Sequence, residues 1–153
     1  MKVLVFPFLK DFRQRRGAAG GFVLNEDDIP EDTRGCAGVY VIEATDGFKF
    51  PYPKGKSKVI YIGESDDLMV RLKKHRKNLN ELWDDIDYGI YDDDEPWPCD
   101  RYQYMRYHGA KVYYYKCLRT QEAKNLESKV LWAFYTKYRA LPVGNGAKSY
   151  LKK

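Results

Sequence analysis

Val39 to Ala44 alternates in the strand manner, with Tyr40, Ile42 and Ala44 on one face and Val39, Val41 and Glu43 on the other. Val59 to Gly63 reads as a second strand. The connection between them holds Asp46-Gly47, two prolines and Gly55, which predicts a hairpin with an enlarged tip. Ser65 then stands as an N-cap, with Asp66 and Asp67 in the first turn of a helix. Leu68, Leu72 and Leu79 mark its buried side, and it runs to about Asn78. Arg101 to His108 predicts a short helix and Lys111 to Leu118 a third strand. Thr120 caps a long helix from Gln121 to Arg139, with Ala123, Leu126, Val130, Ala133 and Phe134 on its core side. Leu141-Pro142 ends it, and Gly144-Asn145-Gly146 predicts a tight turn. Residues 1–34 read as an N-terminal extension, with a flexible break at Gly17-Ala18-Ala19-Gly20-Gly21, and 35–153 as the main domain.

Composition narrows the class. A chain of 153 residues with 44% hydrophobic and 16% aromatic side chains is long enough for one real core. No apolar run approaches the roughly 20 residues a membrane span needs, and no small-residue cleavage site follows the apolar start, so the expectation is a cytoplasmic, nucleoid-associated protein. Cys36, Cys99 and Cys117 are odd in number and form no CxxC pair, which reads as free thiols. Two histidines, His75 and His108, are too few for a zinc finger.

The net charge of +5 conceals an uneven distribution: eight of the 22 acidic residues lie between Asp84 and Asp100, where no Lys or Arg stands. The rest is therefore strongly basic, which suits a polyanion such as DNA. The acidic insert, 84–100, reads as a solvated loop, since the adjacent carboxylates of Asp92-Asp93-Asp94-Glu95 repel and cannot all face one ion. It is also a candidate electrostatic gate against unwanted DNA.

Two tripeptides carry the candidate chemistry. Gly38-Val39-Tyr40 and Tyr61-Ile62-Gly63 each set a tyrosine beside a glycine at a strand end, and Gly63 is read as easing the turn from strand to helix. Arg71 and His75 are four apart, so they share a helix face. Glu127 interrupts the otherwise apolar series Leu131, Phe134, Tyr138; a bound cation is one way to compensate a carboxylate there. Singly, each residue has a plainer role: a surface cation, a helix histidine, a carboxylate at the rim of a core helix, two strand tyrosines. Their fixed order is what sets them apart.

In that order the chain resembles the GIY-YIG nuclease domain from about Gly35 to Ala147, with Val39 replacing the isoleucine of the first motif and the second motif unaltered. Gly63-Glu64-Ser65-Asp66-Asp67-Leu68 with Arg71-Leu72 and His75 is similar to the family's helix, Leu126-Glu127 to its metal-binding glutamate, and Leu141-Pro142 with Asn145 to its closing segment. The resemblance implies an α+β fold with a central three-stranded antiparallel sheet flanked by helices. It implies hydrolysis of DNA with one magnesium ion, manganese being a possible substitute. Tyr40 would be the general base or water-orienting phenol, its pKa lowered by a nearby cation. Tyr61 would bind the scissile phosphate or the metal's water, and Arg71 would stabilise transition-state charge. His75 would orient water or share proton transfer, Glu127 would hold the metal, and Asn145 would support the site. The hairpin tip and acidic insert are longer than the family's pattern. A catalytically inactive nucleic-acid-binding module and a basic assembly protein are the competing classes, and a homodimer or a partner protein is a possible source of specificity.

Overall fold

A strand buried on both faces must lie inside a layered structure, and all 7 residues of Ala37–Glu43 are buried. A computed structural model, describing residues 18–87 and 99–145, sets this strand inside a four-stranded antiparallel sheet. In chain order the elements are β1 (Ala18–Val23), a 3-10 turn (Glu31–Thr33), β2 (Ala37–Glu43), β3 (Phe50–Tyr52), β4 (Gly55–Ser57), β5 (Val59–Ser65), α1 (Leu68–Asp87), α2 (Cys99–His108), β6 (Lys111–Cys117) and α3 (Thr120–Tyr138). The sheet order is β1-β6-β2-β5, and β3 with β4 form a separate ladder. The class is α+β.

Helices cover both sides of the sheet. Tyr40 and Ile42 pack with Leu68, Leu72 and Leu79 of α1 and with Tyr102 and Met105 of α2. On the opposite face Val39, Val41 and Ile62 pack with Leu126, Val130 and Phe134 of α3. Each fully buried aliphatic side chain contributes about 1.5–3 kcal/mol, so the three leucines of α1 fix how that helix is rotated. His75 lies on the same stripe as those leucines and is carried inward to 3% exposure, while Arg71 is left exposed. The shared face expected for these two residues is thus split between interior and rim.

The sheet has one strand more than expected. Ala18–Val23, which falls in the segment read as an extension with a flexible break, pairs with β6 from Ala18↔Tyr115 to Val23↔Lys111. Glycine and alanine leave no side-chain alternation to read, yet their backbone groups complete a ladder as well as any others. Smaller departures have local causes. Asp67, rather than Ser65, caps α1, accepting the Val70 N–H at 3.3 Å and the Gly35 N–H at 3.2 Å. α1 continues past Asn78 to Asp87, because no glycine or proline intervenes before Gly89. Thr120 is the first residue of α3, and its cap position, Arg119, makes no side-chain capping bond. The enlarged hairpin is as expected, its tip being β3 and β4; Tyr52 packs edge-on against Phe134 of α3 at 5.2 Å. Cys36 is a free thiol. Most of the acidic insert, including the proposed gate, lies outside the described residues.

Candidate active site

The site is built where β2 and β5 pair beneath α1. Tyr40 stands opposite Gly63 in the ladder, so both face the same side of the sheet. A Cβ on Gly63 would lie 2.5 Å from the Tyr40 hydroxyl and 2.7 Å from the Tyr61 ring. This glycine is required by a phenol lying across the strand, not by the turn into the helix as the sequence reading had it. Gly38 has a parallel role: a Cβ there would meet the Tyr115 carbonyl at 2.4 Å and the Leu68 side chain at 2.6 Å, so its absence lets α1 sit close on the sheet.

From Tyr40 a chain of hydrogen bonds runs outward to half-buried Asn78. Its hydroxyl is 2.5 Å from His75 Nε2, His75 Nδ1 is 2.9 Å from the Tyr102 hydroxyl, and Asn78 Nδ2 donates to that hydroxyl at 3.1 Å. The Tyr61 ring closes the group at 5.9 Å from Tyr40 and 5.5 Å from His75. Burial, with the charges of Arg101, Arg71 and Lys74, lowers the His75 pKa to about 3, so the imidazole is neutral. One ring nitrogen then donates while the other accepts. Because both hydroxyls can reverse their roles, either tautomer completes the chain of neutral groups.

This neutral histidine makes an acid prediction. Its ordinary value is near 6.5 and its folded value is about 3, so the unfolded chain binds the extra proton and stability falls as pH drops from 6.5 towards 3. The contribution is about 3–5 kcal/mol. In acid unfolding by circular dichroism, a His75→Gln variant, though less stable at pH 7, is expected to lose stability more shallowly over that window. Parallel curves for the two proteins would remove His75 as the cause.

Burial pushes the Tyr40 phenol well above its ordinary value; Tyr61 and Tyr102 add to this, while Arg71 and Arg101 pull it down. The cationic lowering expected from the sequence is present in direction but is outweighed by desolvation. Tyr40 is therefore a neutral hydroxyl, held by a neutral imidazole and fully buried. Tyr61 is half-buried, and its hydroxyl makes no hydrogen bond among the described residues.

Glu127 approaches from the other side. Val39 pairs with Glu64, which places Glu64 on the face that α3 covers. Burial first, then the charge of Glu64, raises the Glu127 carboxyl to about 7; the Glu64 backbone and Arg71 act against the rise. Arg71 thus acts electrostatically on Tyr40, His75, Tyr102 and Glu127 together. The fold gathers Tyr40, Tyr61 and His75 in direct contact, sets Arg71 at their rim, and keeps Glu127 across the sheet with Glu64. Asn145 is committed to the scaffold: its Oδ1 accepts the Ile62 N–H at 3.0 Å and its Nδ2 donates to the Ile62 carbonyl at 2.9 Å. It satisfies the outer edge of β5 as another strand would, so its support of the site is indirect.

Three residues escaped the sequence reading: Tyr102, Arg101 and Glu64. Only Glu64 had a signal, as a carboxylate directly after the second motif. Arg101 and Tyr102 follow the acidic insert, and their distance along the chain from Tyr61 and His75 hides the contact.

Among the described residues no group of three or more His, Cys, Asp or Glu forms a metal centre, and no helix is long and apolar enough to cross a membrane. No family model matches the chain, and none of the curated proteins or solved structures does. The functional reading therefore stands on the residues themselves.

Proposed function

We propose that this protein is a metal-dependent DNA endonuclease of the GIY-YIG kind, hydrolysing phosphodiester bonds with one divalent cation, magnesium or manganese. One observation carries the reading: Tyr40, Tyr61 and His75, from three separate elements, pack ring to ring with Arg71 at their rim. The net charge of +5 suits a nucleic acid.

The carboxylates fit the cation. Magnesium is held by one or two carboxylates plus waters, and Glu127, with Glu64 beside it, offers such oxygens in a place where a negative charge lacks compensation. Glu127 would hold the ion, with Glu64 as a second donor. When bound, the cation supplies charge neutralisation at the phosphate oxygens. In the reaction, water adds to phosphorus and one ester oxygen departs as an alcohol. The exposed Arg71 guanidinium binds the equatorial oxygens as their charge grows. The free hydroxyl of Tyr61 donates to the phosphate or to the attacking water. Tyr40 is a neutral hydroxyl rather than a ready phenolate, held in orientation by its hydrogen bond with neutral His75, and the proton lost by the attacking water ends on the departing ester oxygen. Such a site cuts one strand; double-strand cleavage calls for two copies or two encounters.

Supercoiled plasmid with magnesium tests the proposal. Arg71→Ala is expected to slow nicking about 100-fold with an unchanged melting temperature, since its side chain is exposed and makes no ion pair among the described residues. Equal nicking by wild type and Glu127→Ala would sink the nuclease reading. Salt-sensitive DNA binding without metal-dependent cleavage would instead identify a binding module, and partner binding without DNA affinity an assembly protein.

A further inference from the structure

Arg101 stands at the same cluster as Arg71 but reaches it from another element. Its guanidinium carbon lies 4.4 Å from the centroid of the Tyr61 ring, a cation–π contact that holds the group over the phenol. Its charge acts on Tyr40, His75 and Tyr102, as that of Arg71 does. Two guanidiniums thus converge on a neutral group of rings, and neither is ion-paired among the described residues. Arg101 Nε is moreover buried without a hydrogen-bond partner among the described residues. A buried donor left unmet is costly, and native proteins seldom keep one without a reason.

The position of Arg101 is built into the fold. A Cβ on Gly144 would lie 2.9 Å from Arg101 Cβ and 2.6 Å from the Ile60 carbonyl. Gly144 therefore leaves room for the start of α2 to meet the edge of β5. The Gly144 N–H to Ile60 carbonyl bond, 2.7 Å, and the two Asn145 bonds to Ile62 pin that segment in place.

We propose that Arg101 is a second phosphate-binding residue, which with Arg71 flanks the Tyr61 hydroxyl and holds a nucleic-acid phosphate against it. A phosphate bound at the guanidinium edge left accessible neutralises the paired cations. Arg71 meets the developing charge from α1, while Arg101, fixed by its ring contact, sets where the strand lies. The inference rests on the nuclease reading for the identity of the anion as DNA.

Binding of a fluorescent duplex, measured by anisotropy in EDTA over a salt series, tests it without cleavage. Arg101→Ala is expected to weaken binding about tenfold and to lower the slope of log affinity against log salt by about one. Arg101→Lys keeps the charge and loses the flat contact with Tyr61, so it should retain the slope and lose less affinity. Wild-type affinity and slope in Arg101→Ala would overturn the proposal, as would a lowered melting temperature with unchanged binding, which marks an internal structural partner. The two readings fail separately. A wild type that shows the Arg101 dependence yet cuts no DNA ends the nuclease reading alone. Cleavage by a wild type whose binding is indifferent to Arg101 ends this one.

Discussion

Replacing Glu127 by glutamine is expected to abolish metal-dependent nicking and, in EDTA at alkaline pH, to stabilise the fold. The carboxyl titrates near 7 in the folded protein against an ordinary value of 4.5. Between those values the folded state binds the proton and the unfolded chain does not, so this group's contribution to stability falls as pH rises from 4.5 through 7. At pH 8 the ion must exist in a half-buried place beside Glu64. Glutamine is isosteric and uncharged, and removes that cost. Discounted for partial exposure, the gain is on the order of 1–2 kcal/mol, or several degrees in melting temperature. Near pH 4.5 the two proteins should melt alike. Magnesium should raise the wild-type melting temperature at pH 8 and leave the variant's unmoved, by linkage of binding to folding. Nicking should fall at least about 100-fold, as expected when transition-state charge loses its metal. Melting curves that coincide at pH 8 would refute the buried-carboxylate account, whatever happens to activity.

Gly63→Ala is the second large effect. The new methyl would sit 2.5 Å from the Tyr40 hydroxyl and 2.6 Å from Tyr40 Cζ. Tyr40 is fully buried and bonded to His75, so it has nowhere to yield without breaking that bond. Overpacking costs about 1–3 kcal/mol, and an unmet buried hydroxyl and imidazole add about 1–3 kcal/mol. Thermal unfolding should shift down by roughly 10 °C, and nicking should be lost even at temperatures where the variant is folded. Gly35 makes the contrast, because nothing lies within 4 Å of a Cβ there. Gly35→Ala carries only the strain of its left-handed backbone (φ 68°) and should disturb the phenols little. Equal loss of activity in both variants would mean that the methyl–phenol clash is not the cause.

β2, α1 and α3 were legible from a periodic apolar pattern, and β5 and β6 from runs of β-branched and tyrosine residues, whereas α2 shows almost no apolar stripe. The leucines at 68, 72 and 79 announce α1, and the alternation after Gly38 announces β2. β1 was not legible, since its Ala-Ala-Gly-Gly start shows no alternation and it forms only because β6 offers an edge to pair with. Within the site, Tyr40, Tyr61, Arg71, His75 and Glu127 could be singled out by residue type and order. Their states could not. That Tyr40 is a neutral phenol, that His75 is a neutral imidazole and that Glu127 is a reluctant anion all follow from burial, which depends on what packs on top.

Apart from β1, local order along the chain therefore determined which elements form and which chemical groups they carry, because side-chain periodicity and backbone preference act over a few residues. Tertiary packing alone decided which of those groups meet and how they are charged. Arg101 reaches Tyr61 and Tyr102 reaches His75 across tens of residues of sequence. Desolvation and the approach of distant charges are properties of the packed space, and neither leaves a trace in neighbouring sequence.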